Sequence, residues 1–507
     1  MRSKLALYNL SASLALQFIT ALVGIILPRF IIEAYGSSMN GMIASITQVM
    51  RYLSIVEAGL GAACIAALYL PLANNDTNQV STVLSAARML YNRTGKLFAI
   101  FAVVAVLVYP FLVYAQVPVF TAGAMVLIMA GGGLSEYYLI GKYRVLLIAD
   151  QKSYIISLIQ SAGVVINAVV CILLITFGVA ALTMQAAATF IFASRAVFIK
   201  WYITRKYKQI NYRASPDMES LKQRKDVFIH QLNGLVVFGL PPIINTIFCN
   251  LQEVSVYSVY SMVFVAVNMF VASFTSGVMA SFGQLLAKGD VTVLRHSFKS
   301  FEYVFGVVLT WVYACTALLL IPFIQVYTSG IRDADYIRPD LAMLFVAVGV
   351  VSNLRTPHHM IVQAAGHFRE TRIPSIIEAA ISVIASLLFV RWFGASGVLL
   401  GMLCAHLYRT PELIWYTNRT ILGRSPMSGL IRNIRNIGLG VGAALLCSYL
   451  FTLNVDSLWQ WFNYAVITAI VVLVIVVAGN LIGEPNSART VLVKGKTLYR
   501  GIRSKWR

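Results

Sequence analysis

Charge is scarce in this sequence, acid scarcest of all, and no polar stretch is long enough to make a soluble domain. Only 12% of the 507 residues are charged, with 19 Asp and Glu against 40 Lys and Arg, while 59% are hydrophobic. A soluble domain carries about a quarter charged residues, so a globular enzyme of this length is excluded. Cysteine is sparse as well: Cys64, Cys171, Cys249, Cys315, Cys404 and Cys447 each stand alone in an apolar segment, without a CxxC pair or a histidine at ligand spacing. That excludes the common metal and redox motifs and leaves six small core residues. There is no HExxH. Gly495-Lys496-Thr497 has the look of a nucleotide-binding loop, but the Walker pattern requires glycine where Thr490 stands. No cofactor, no metal and no catalytic domain are expected.

What the chain has instead is a series of apolar runs, each long enough to cross a hydrocarbon core about 30 Å thick. Hydropathy predicts about fourteen transmembrane helices, near 9–32, 41–70, 96–115, 119–140, 154–177, 179–202, 228–249, 255–285, 303–327, 340–365, 374–392, 396–417, 436–453 and 461–482. Arg2 and Lys4 precede an apolar run too long for a signal peptide, and no A-x-A site closes it, so the first helix is expected to stay. With both termini cytoplasmic, only Arg332, Arg338 and Arg391 fall on the outer side, and Arg29, Arg51, Arg195, Arg355 and Arg409 fall within spans. The remaining basic residues are cytoplasmic, as the positive-inside rule demands. The net charge of +21 then records topology, and membrane lipids are partner enough for it without nucleic acid.

The longest cytoplasmic linker, Lys200 to Lys225, divides the spans into two sets of six. At an offset of 214 residues Pro28 meets Pro242, Asp76 meets Asp290, and Arg195, Trp201-Tyr202 and Arg205 meet Arg409, Trp415-Tyr416 and Arg419. These coincidences predict a duplication, related by an axis along the membrane normal because each half has an even number of spans. The expected organisation is an N-terminal lobe over 1–202, a basic linker over 203–227, a second lobe over 228–419, and two added helices with a basic tail over 420–507.

Function in such a chain resides in intramembrane charge, where a central arginine costs about 3 kcal/mol on the translocon scale. Arg29, Arg195 and Arg409 lie near helix ends and can snorkel. Arg51 and Arg355 lie deeper and are expected to face a cavity or a partner. Ser352, Arg355, His359 and Gln363 recur at helical spacing and predict one polar stripe; Asn9, Ser13, Gln17, Thr20 and Gly24 predict another. Polar glue between helices explains either stripe as well. Glu57, near the middle of its helix, is a candidate proton or cation site, or the partner of an arginine elsewhere. Glu378 and Glu136 lie near cytoplasmic ends and read as solvated carboxylates. Gly131-Gly132-Gly133 and Pro241-Pro242 are expected to loosen or kink their helices as hinges, and close packing alone explains the glycines as well.

The segment Arg51-Tyr52-Leu53-Ser54-Ile55-Val56-Glu57-Ala58-Gly59-Leu60-Gly61, with Leu68-Tyr69-Leu70-Pro71-Leu72-Ala73 after it, resembles the polysaccharide transporters of the multidrug/oligosaccharidyl-lipid/polysaccharide exporter superfamily. So do Ala364 to Ala380 and Phe393-Gly394-Ala395-Ser396-Gly397-Val398-Leu399-Leu400-Gly401. The resemblance extends to about Arg419. It implies an all-α fold of two six-helix lobes around a central cavity, alternating between inward and outward states in a bacterial cytoplasmic membrane. It implies as substrate an undecaprenyl-diphosphate-linked repeat unit for capsule, exopolysaccharide or O-antigen, with glycosyltransferases and a polymerase as partners. Arg29 and Arg51 fall in contexts similar to cavity arginines of the related lipid II flippases. A multidrug exporter of the same superfamily is the near rival, and would prefer cavity carboxylates. A membrane polymerase is the enzymatic rival, and would need a larger external loop.

Overall fold

The computed structural model describes residues 2–53, 60–212, 214–218, 237, 239–275, 278–450, 455–491 and 493, and among these every regular element is helical. The chain packs as two units, Met1–Ser258 with Gly330–Ala334, and Val259–Ser329 with Asp335–Arg507.

The first unit holds α1 (Arg2–Tyr35), α2 (Ser37–Leu53), α3 (Leu60–Ala73), α4 (Thr77–Leu112) and α5 (Val119–Ser135). A π-helical turn over Glu136–Ile140 carries α5 into α6 (Gly141–Ala149); α7 (Ser153–Thr176) and α8 (Ala181–Lys206) follow. A short apolar helix, α9 (Gly239–Phe248), precedes α10 (Leu251–Ser273). The second unit continues from α10 with α11 (Val278–Ala287), α12 (Val291–Tyr327), α13 (Pro339–Leu354), α14 (Thr356–Ala365), α15 (Arg372–Tyr416), α16 (Met427–Leu450) and α17 (Leu458–Gly483). Among the described residues eleven helices are long and apolar enough to cross a membrane. The longest of them turns back on itself, and Ala63–Ala73 and Gly239–Phe248 add two shorter apolar segments.

The turn lies at Gly394, whose φ of 54° and ψ of −134° belong to a region that only glycine enters freely. On either side of it the two arms of α15 pack backbone to backbone. A Cβ on Gly397 or Gly401 would collide with the main chain at Phe389 or Ser386, and Ser386 Oγ donates to Val398 O at 3.0 Å. The two spans predicted on either side of residue 394 are these two arms.

The same local structure recurs in both units at the offset noted in the sequence. Asp76 accepts from Gln79 N at 2.9 Å to cap α4, and Asp290 accepts from Val293 N at 3.1 Å to cap α12. The residue before each cap, Asn75 or Gly289, has positive φ. The helices they start have 36 and 37 residues and interior prolines at Pro110 and Pro322. At 1.5 Å per residue each is about 54 Å long or more, so both project well beyond the hydrocarbon.

Some predicted helices are divided, and that over 255–285 separates into α10 and α11. The span over 340–365 breaks at Arg355, because Pro357 has no N–H to offer the Asn353 carbonyl one turn back. The continuous stripe of Ser352, Arg355, His359 and Gln363 is thereby interrupted, with Arg355 at the joint.

Within the first unit α2 packs on α9 and the start of α10 through small and polar residues. Asn40 Nδ2 donates to Ser255 Oγ at 2.7 Å and Ser258 Oγ at 3.2 Å, and Thr246 Oγ1 to Ser45 Oγ at 2.7 Å. Gly41 permits this approach, since a Cβ there would run into the Leu251 carbonyl. Gly41→Ala should therefore destabilise the protein by about 3 kcal/mol, the upper end of overpacking costs. Gly24→Ala, with open space around it, should change thermal unfolding in detergent by no more than about 0.5 kcal/mol. Equal melting of the two variants would refute the close α2–α10 contact.

Candidate functional site

Buried charge gathers at two places in the second unit, both built on elements that end near each other. The first surrounds Glu378, in the second turn of α15. Its carboxylate lies 2.7 Å from Arg355 Nη1, 3.7 Å from Arg409 Nε and 3.1 Å from His406 Nδ1. Arg409 also pairs with Glu412 one turn along. Glu378 is 3% exposed, so the solvated carboxylate expected from its position near a helix end is not what forms. The folding back of α15 at Gly394 brings His406 and Arg409 alongside it, and two guanidiniums offset the hydration the buried carboxylate has lost.

The second centres on Glu302 in α12. Glu302 Oε2 accepts from Arg424 Nη2 at 2.7 Å and from Arg432 Nη1 at 2.8 Å, while His358 Nε2 lies 3.3 Å from Oε1. Arg432 continues to Glu484 just past α17, with Nε donating at 2.9 Å, and Arg435 reaches the same carboxylate at 3.2 Å. Phe298 stands edge-on to His358 at 5.2 Å and, with Phe282, Leu294, Ile361 and Leu422, walls this cluster from solvent. Burial opposes the charge on Glu484, but hydrogen bonds from Arg432 and Ser487 outweigh it and hold its carboxyl at about 2. Its folded pKa is depressed, so its stabilisation is complete above the ordinary 4.5 and is lost only as pH falls toward 2.

The residues singled out in the sequence are distributed over both units. Arg29 is half-buried in α1 and Arg51 exposed in the last turn of α2, both in the first unit. Arg355 and His359 belong to the second, where Arg355 turns to Glu378 and His359 is exposed. The buried imidazole is the neighbouring His358. Glu57 lies outside the described residues. The snorkelling expected of Arg195 and Arg409 does not describe them. Arg195 is buried, its Nε donating to Phe192 O at 3.0 Å and its guanidinium stacked 3.5 Å from the Phe192 ring. Arg409 is buried in the Glu378 cluster. Sequence reasoning misses Glu302, Arg424, Arg432 and Glu484; the one available signal is four ionisable residues flanking apolar spans. In the α1 stripe, Asn9 serves as glue, donating to Gln151 O at 2.9 Å and accepting from Tyr154 N at 2.8 Å.

Fold and buried charge together define a multi-pass α-helical membrane protein whose inner carboxylates are matched by arginines. Its architecture is shared with solved transporters of the MOP superfamily. A structure described as the lipid II flippase MurJ in an inward closed conformation superposes with a TM-score of 0.61 at 13% identity, covering 94% of this chain and 99% of that one. An inward-facing multidrug resistance MATE family transporter of the MOP superfamily gives 0.56 at 13% identity, covering 88% of this chain and 100% of that one. The Vibrio cholerae MATE transporter VcmN in the bent form gives 0.52 at 15% identity over 85% and 99%. At these identities the likeness is one of fold. No protein-family model and no curated protein matches the chain.

Proposed function

We propose that this protein is a flippase that carries a polyprenyl-diphosphate-linked oligosaccharide across the bacterial cytoplasmic membrane by alternating access, for surface polysaccharide assembly. Glycosyltransferases would supply its substrate and a polymerase would take the product. The observation that carries this reading is the neutralisation of acid within the spans. Among the described residues, every carboxylate more than one turn from a span end is paired with arginine: Glu136 with Arg144, Glu302 with Arg424 and Arg432, Glu378 with Arg355 and Arg409, and Glu412 with Arg409. An exporter of organic cations needs a carboxylate to spare for its cargo. A diphosphate needs the reverse, donors that replace its hydration through charge-assisted hydrogen bonds.

Arg51, exposed on α2, and Arg29 on α1 are the cations proposed to meet the diphosphate; Arg355 would have to leave Glu378 to join them, and His359 is exposed close by in sequence. Glu57 is proposed as a coupling site on its place in the sequence alone. Reconstituted in proteoliposomes, the protein should move a polyprenyl-diphosphate oligosaccharide to the leaflet where a membrane-impermeant glycosidase can cleave it. Efflux of an organic cation such as ethidium without movement of the lipid-linked sugar would overturn the proposal in favour of a multidrug exporter.

A further inference from the structure

A cavity of about 560 Å³ opens in the first unit beside the first half of α4, and none of the cations proposed to meet the diphosphate lines it. Ser85, Arg88, Asn92, Arg93 and Lys96 line it from α4, with Tyr138 and Tyr212 opposite. The chain after α8 is fastened down to form its wall. Ser85 Oγ donates to Ala214 O at 2.6 Å, Arg88 Nη1 to Tyr212 O at 3.4 Å, and Asp217 N to Thr82 O at 3.3 Å. Among the described residues three cations and no carboxylate line the space. The Tyr212 ring closes this wall, packed edge-on against Tyr143 at 5.4 Å.

The position of the cavity along α4 indicates what binds there. Beyond Lys96 the same face of the helix continues as Ile100, Val103 and Leu107, each about 60% exposed, at the three- and four-residue steps that align side chains. The polar part of the helix therefore gives way at Lys96 to a lipid-facing stripe, and the cations sit where headgroups begin. We propose that this cavity binds the phosphate of an anionic lipid headgroup through Arg88, Arg93 and Lys96, with the lipid's chains lying along Ile100, Val103 and Leu107. The site goes beyond the transport reading and stands or falls independently of it.

The test uses the full-length protein purified in neutral detergent and titrated with phosphatidylglycerol, bound lipid being counted by native mass spectrometry. Arg93→Gln with Lys96→Gln removes two exposed cations and should weaken retention about thirtyfold with thermal unfolding unchanged. Lys288→Gln with Lys299→Gln, an equal loss of exposed charge in the other unit, should leave retention as in wild type. Undiminished retention in the Arg93 and Lys96 variant, or equal loss in the Lys288 and Lys299 variant, would overturn the site. Displacement of the lipid by millimolar inorganic phosphate would assign the cavity to a free phosphate compound and overturn the lipid proposal. Transport assays do not enter the comparison, so failure here is distinct from failure of the flippase reading.

Discussion

Glu302→Leu should cost the protein about 3–5 kcal/mol and expose the connection between α15 and α16 to protease. The carboxylate is buried between Arg424 and Arg432, 2.7 and 2.8 Å away. Removing it leaves two largely buried guanidiniums facing each other, and breaking a buried pair by deleting one partner has that cost. Arg432 keeps Glu484, so α16 stays joined to α17 while both loosen from α12. Limited proteolysis should cut between Ile421 and Met427, and thermal unfolding in detergent should fall. A Glu302→Leu protein that melts with wild type and resists protease would show that the cluster contributes nothing to holding these helices.

Arg51→Ala should lower transport of the lipid-linked sugar about tenfold to a hundredfold while leaving folding intact. A hydrogen bond from a charged group contributes about 1.5–3 kcal/mol, and the side chain is exposed, so little packing is lost with it. Lysine at this position should keep part of the activity, since the charge survives without the planar fork. Arg355→Ala should behave differently. Its guanidinium faces Glu378 at 2.7 Å, so its loss should appear first as lowered stability. Proteoliposome transport and thermal unfolding, measured on the same preparations, separate the two. Full transport by Arg51→Ala would remove it from substrate binding.

Those contrasting expectations for two arginines show what is legible in the sequence and what is not. Both residues stand out by the same reasoning, the cost of a charge deep in an apolar run. Position along a helix says how far a side chain lies from water, and it says nothing about what stands opposite. Glu378 shows the same limit from the other side: near a helix end it reads as solvated, yet the neighbouring arm of α15 covers it. His359 fits a stripe at helical spacing, but the break at Arg355 interrupts that stripe, and His358 is the histidine that is buried.

What the sequence determined by itself is whatever depends on near neighbours along the chain. Apolar runs of spanning length and the turn between the spans on either side of Gly394 follow from hydropathy and the freedom of single backbone positions; the Asp76 and Asp290 caps and the break at Pro357 are local too, although hydropathy runs one span through 340–365. The tertiary structure alone decided which polar groups meet. Glu302 and Arg432 are 130 residues apart, and Asn40 finds Ser255 across 215. Periodicity assigns a residue to a face of its own helix, but the helix that covers this face is chosen by the packing of all of them, through contacts such as Gly41 on Leu251 that no window of sequence contains.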